Sequence, residues 1–116
     1  MALLEISQAQ GRIPVTIFKL QERVHLGNFA ELENTAKEAY NNGTRHLVID
    51  MAQTDTLTSI GLRALVVIHK TLAKDGNPKP IKISGATAII REIMQVTGIS
   101  QFIDIFDTVE EAIASF

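Results

Sequence analysis

The 116-residue chain has no cysteine and no tryptophan, one tyrosine and only three prolines. Without cysteine, disulfides and Cys-based zinc sites are excluded, so the fold has to rest on its own core. No apolar run reaches the roughly 18 residues needed to span a bilayer, so no direct membrane insertion is expected. Met1-Ala2-Leu3-Leu4-Glu5 lacks the basic start of a signal peptide and meets an acid at once. The expected compartment is the cytoplasm. Charge of one sign is also missing: 11 basic residues face 13 acidic ones, a net charge of -2. That balance shows no electrostatic footprint for nucleic acid. There is no G-x-G-x-x-G or Walker A loop and no H-E-x-x-H pattern, and no cofactor is expected.

What is present is ordinarily globular, with 46% hydrophobic and 21% charged residues. One domain spanning 1–116 is expected, long enough to bury a core without staples. Leu3 to Ala9 and Val15 to Glu22 read as a hairpin around Gln10-Gly11-Arg12. Pro14 opens the second run, where a missing N–H is tolerated. In that run Val15, Ile17 and Lys19 alternate with Thr16, Phe18 and Leu20, which makes one face mainly apolar.

Asn28 is a plausible N-cap for a helix to about Asn41, with Phe29, Leu32, Ala36, Ala39 and Tyr40 at helical spacing and Gly43 as a stop. His46 to Asp50 is an apolar run ending in an acid, as expected of a strand covered on both faces. After a polar connection from Ala52 to Leu57, Thr58 or Ser59 caps a long helix to about Lys74. Asp75 to Pro80 breaks the chain. Ile81 to Ser84 is a short strand, Ala86 to Thr97 a helix ended by Gly98. Phe102 to Phe106 is a last strand or an extended link. Thr108 and Glu111 form a capping box for a helix from Val109 to Phe116. The order β-β-α-β-α-β-α-β-α defines an α/β fold. It predicts a mixed β-sheet, an initial hairpin followed by β–α alternation, with helices packed against it.

The helix from Ser59 carries the strongest functional signal. At roughly 100° per residue, Gly61, Leu62, Ala64, Leu65, Ile68 and Leu72 gather on a core face. Ser59, Arg63, Lys70 and Lys74 gather opposite. Ile60, Val66 and Val67 lie along or beside that polar stripe, where they serve a protein partner or are covered by neighbouring helices. A hydroxyl at a helix start is either a cap or an acceptor for phosphate, since free N–H groups and the positive dipole end favour an anion. Added phosphate would bring about -1.5 to -2 charges to the rim of an apolar patch. His25, His46 and His69 stand in no metal-binding pattern. Ser59 lies in no G-x-S-x-G elbow and has no assignable base. Asp50, Asp55, Asp104 and Asp107 read as caps and turns.

These residues resemble a family. An acid at a strand end, a polar turn and Thr58-Ser59-Ile60-Gly61-Leu62 are similar to the signature of sulfate-transporter and anti-sigma-factor-antagonist (STAS) domains. The resemblance is closest to the stand-alone bacterial anti-sigma factor antagonists. The opening hairpin, the strand at Ile81 and the close Phe106 to Ala112 fit as well. The resemblance implies a non-enzymatic, transcription-regulating partner switch. Ser59 would be phosphorylated by an anti-sigma factor that is itself a serine kinase, with Thr58 as the alternative acceptor. The unmodified form would bind that kinase, the phosphorylated form would let go, and a PP2C-like phosphatase would reset it. Asp50, Asp55, Thr58, Ile60, Gly61, Arg63, Val66, Val67 and Lys70 are the expected partner contacts. Thr58 stands where the family usually has Asp, Ile60 where it often has Ser, His25 where many members have Asp, and Glu22 where Gly is common. A second implication, of a different class, is a regulatory or adapter subunit of a transporter or stress-signalling complex, with Ser59 only a cap.

Overall fold

The computed structural model describes residues 2–116. Strands β1 (Leu4–Gln10) and β2 (Pro14–Leu20) form the hairpin, and α1 (Phe29–Asn41) follows. Next come β3 (Leu47–Asp50), α2 (Ser59–Leu72), β4 (Ile81–Ser84), α3 (Ala88–Val96), β5 (Asp104–Phe106) and α4 (Val109–Ala114). The five strands lie in the order β1-β2-β3-β4-β5. β1 is antiparallel to β2 and the other neighbours are parallel. The mixed sheet with packed helices is the expected α/β architecture, and Phe102 to Phe106 resolves into a three-residue strand.

Side-chain alternation sorts the sheet into two faces. Phe18, Leu20, Leu47, Ile49, Ile81 and Ile83 point into the main core, which holds Ala64, Leu65, Ile68 and Leu72 of α2 and Ile90 and Met94 of α3. Val15 and Val48 point the other way, onto Ala112 of α4, with Ile17, Phe106 and Phe116 against them. Both faces of β2 are therefore apolar, not one. β3 is buried at every position, as a strand sandwiched between helix layers should be.

Element ends shift by a few residues for local reasons. α2 stops at Leu72 and passes into a 3-10 turn closed by Gly76 at φ 89°. α3 begins after Thr87, whose hydroxyl accepts from the Ile90 N–H at 3.2 Å, two residues later than the pattern indicates. Thr108 and Glu111 form the expected capping box.

Candidate functional site

The chain leaves β3 through a turn that buries Met51, Thr54 and Leu57, so the connection is less polar than its composition indicates. Thr58 then takes an extended conformation at φ -82° and ψ 166° and caps α2. Its hydroxyl accepts from the Gly61 N–H at 3.0 Å and donates its proton to the Val24 carbonyl at 2.6 Å. Both capacities of that oxygen are occupied. Ser59, the first helical residue, is exposed. Among the described residues its hydroxyl makes no hydrogen bond. The Leu62 N–H reaches back to the Thr58 carbonyl at 2.9 Å, so the N–H groups of Ser59 and Ile60 are the ones left without an intrahelical partner. No acidic residue lies in this first turn to offset the positive end of the helix.

Gly61 sits close to Leu57 and Val24. A Cβ there would stand 2.8 Å from Leu57 Cδ1 and 3.6 Å from Val24 Cβ. The Thr58–Val24 hydrogen bond ties the β2–α1 loop, residues 21–28, to the helix start. Asn28 pins this loop. It occupies the N-cap position of α1 but makes no capping bond. Its Oδ1 instead accepts from the His25 N–H at 2.8 Å. Its Nδ2 donates to Glu22 Oε1 at 2.9 Å and to the Arg23 carbonyl at 3.0 Å. Val24 is buried while Arg23, His25 and Leu26 project outward, Leu26 being 75% exposed. Glu22, Arg23, His25 and Asp55 line a crevice of about 290 Å³ beside the start of α2. The sequence marks Glu22, His25 and Asn28 in this loop but not its place beside α2. Asn28 looks like a cap in one dimension, and only the fold brings Val24 to Thr58.

The remaining expected contacts divide. Asp55, Arg63 and Lys70 are exposed, and Ile60 and Val67 are half-buried. Ser59, Arg63, Val67 and Lys70 follow one another at helical spacing along the outer face of α2. Val66 is half-buried against the main core, and Gly61 is buried and off the open surface. Leu62, expected in the core, is half-buried at its margin. Asp50 is corrected most. It is only 9% exposed, its Oδ1 accepts from the Ala52 N–H at 3.0 Å, and alternation along β3 puts it on the face of Val48, away from α2. It holds a turn and offers no surface contact.

The histidines sit in ordinary packing. Burial, and then the charge of Lys82, pushes the His46 imidazole below its usual range, and the ring meets Phe116 edge-on at 5.0 Å. Burial pushes His69 down likewise, beside Phe102 at 4.9 Å. Among the described residues, no group of three or more acidic or histidine side chains is placed to hold a metal ion. No helix among them is long and apolar enough to cross a membrane.

The STAS domain profile matches residues 7–112, and the chain belongs to the STAS domain family. Comparison with curated protein sequences returns no match. Among solved structures it is similar to an anti-sigma-factor antagonist (STAS) domain protein from Planctomyces limnophilus. That match has 20% identity and a TM-score of 0.81, covering 99% of this chain and 98% of the other. An anti-sigma factor antagonist from Mycobacterium paratuberculosis is similar at 17% identity and TM-score 0.78, covering 97% and 92%. The Bacillus cell fate determinant SpoIIAA in its phosphorylated form is similar at 12% identity and TM-score 0.73, covering 97% of each chain. At these identities the likeness is one of fold.

Proposed function

We propose that this chain, as a single STAS domain over 1–116, is an anti-sigma factor antagonist working as a phosphorylation-controlled switch in the cytoplasm. It binds an anti-sigma factor that is also a serine kinase, and so releases transcription from inhibition. Phosphate added to Ser59 ends the binding, and a PP2C-like phosphatase restores it. The chain itself performs no catalysis.

The observation that carries this reading is the division of labour between two adjacent hydroxyls. Thr58 is spent on the cap and on Val24, so phosphorylating it would remove the proton given to Val24 and weaken the acceptor of the cap. Ser59 is exposed and unengaged, and its modification disturbs neither. Phosphate there meets unpaired N–H groups at the helix start, so the modified form is locally favourable. A partner seated over Ile60, Arg63, Val67, Lys70 and Asp55 would instead have to accommodate a doubly charged group at its centre, with a desolvation cost. Leu26 of the adjoining loop adds an apolar anchor to that surface.

The test is incubation with candidate anti-sigma kinases and ATP, followed by phosphopeptide mass spectrometry. Phosphate is expected on Ser59 and not on Thr58. Ser59→Ala should retain kinase binding and resist release, whereas Ser59→Asp should bind at least tenfold more weakly. Equal binding by the two variants, or capture of a transporter ATPase in place of a kinase, would overturn the proposal.

A further inference from the structure

The two edges of the sheet are unlike. β5 is three residues long, and Asp104 within it is held by Lys79 and Lys82 at 3.0 and 3.2 Å. Shortness and charge are how natural sheets prevent edge-to-edge pairing. β1 is longer and carries a single charge, Glu5, which stands opposite Lys19 of its own hairpin. It runs seven residues, Leu4–Gln10, with no proline, lysine or bulge, and most of it is exposed on both faces. Its register shows which backbone groups are free. The Gln21 N–H bonds to the Leu3 carbonyl and the Gly11 N–H to the Ile13 carbonyl. Odd-numbered residues of β1 therefore turn their backbone groups toward β2. Leu4, Ile6, Gln8 and Gln10 turn theirs outward. Ile6 on this edge is 54% exposed. It lines a groove of about 610 Å³ between β1–β2 and α1, with Gln8, Pro14, Thr16, Glu38 and Ala39 among the walls.

We infer that β1 is the self-association edge of this protein, joining a second copy through antiparallel β1–β1 pairing into a continuous ten-stranded sheet. A second copy is an occupant that this strand accepts without charge repulsion. A two-fold register using the whole strand sets Leu4 opposite Gln10, Glu5 opposite Ala9 and Ile6 opposite Gln8, with Ser7 on the axis. The one charged residue of the strand, Glu5, then meets no like charge, and it already stands opposite Lys19 within its own hairpin. Every outward N–H and C=O of Leu4, Ile6, Gln8 and Gln10 gains a partner. The apolar side chain of Ile6 lies across from the Gln8 stem at the mouth of the groove. Two-fold closure also ends the assembly at two copies, because the opposite edge is blocked.

Light scattering across a hundredfold range of concentration should give twice the chain mass at the upper end. Ile6→Lys, which places a charge on the free edge at an exposed position, should return the chain mass throughout with an unchanged circular dichroism spectrum. The wild-type chain has no cysteine, so Ser7→Cys supplies a lone thiol at the axis, in a non-hydrogen-bonded pair whose Cα spacing of about 4.5 Å suits a disulfide. Mild oxidation should cross-link it at least tenfold faster than Glu92→Cys on α3. A chain that stays at single mass at every concentration overturns the inference. So does a dimer that survives Ile6→Lys, or equal cross-linking of the two cysteine variants.

Discussion

Thr58 and Ser59 differ by a methyl group and one position, yet their energetic roles are far apart. Thr58→Val keeps the shape of the side chain and removes the hydroxyl, leaving the Gly61 N–H and the Val24 carbonyl without their partner. A loss of about 1–3 kcal/mol is expected. Ser59→Ala removes an exposed, unbonded hydroxyl and should change stability by less than about 0.5 kcal/mol. Urea unfolding followed by circular dichroism measures both, the chain having no tryptophan to report by fluorescence. Which of the two was the cap could not be read from the chain. Either hydroxyl precedes the helix, and the group that decides, the Val24 carbonyl, lies 34 residues upstream. Gly85 is a sharper case. It holds φ at +69°, and a Cβ there would stand 3.0 Å from Ala52 Cβ and 3.2 Å from its backbone N. Gly85→Ala should cost about 2–4 kcal/mol, combining left-handed strain with overpacking against backbone that cannot yield. Thermal melting of the variant is the check.

At the scale of elements, β4 and β5 are tied by a charge that helix α4 helps to hide. Lys82 is only 6% exposed, its Nζ stands 3.2 Å from Asp104 Oδ2, and it lies 5.1 Å from the centre of the Phe116 ring. Asp104→Asn would leave that ammonium near-buried and poorly paired. Since the Asp104 side chain keeps 34% of its exposure, the cost is about 1–3 kcal/mol, below that of a fully buried pair. The hydrogen bond from Lys79, joined by Lys82 and opposed by burial, holds the Asp104 carboxyl below its ordinary 3.8. A carboxylate lowered on folding contributes stability that is complete above the unfolded value and lost as pH falls through the folded one. The wild-type midpoint of unfolding should therefore drop more steeply than that of Asp104→Asn below about pH 4. Ile81 to Ser84 was legible as a short strand, but the burial of Lys82 within it was not. That burial depends on the placement of α4 and Phe116, which local alternation does not encode.

For the molecule as a whole, folding shifts His46 and His69 in the same direction. Burial lowers both, with Lys82 adding to the effect at His46. The unfolded chain then binds protons that the folded one refuses, so stability falls as pH drops below the ordinary histidine value of 6.5. A urea midpoint that declines between about pH 7 and pH 5, and declines less in His46→Gln, is the expected outcome. The partial burial of these two rings was not legible in the chain, and that of Val66 only as one of two alternatives, whereas the order of elements was. Period-two runs such as Val15 to Leu20, the continuous Leu47 to Ile49, and the capping box at Thr108 are local signals that survive folding. The cover over Val66, the inward turn of Asp50 and the approach of the 21–28 loop to α2 depend on distant neighbours.

That the anchoring oxygen and the outward one belong to different residues has a further consequence. A group added to or removed from the outer oxygen breaks none of the bonds that anchor the helix start. A regulatory mark can then be written and erased through many cycles without raising the population of open chains that proteases and aggregation consume.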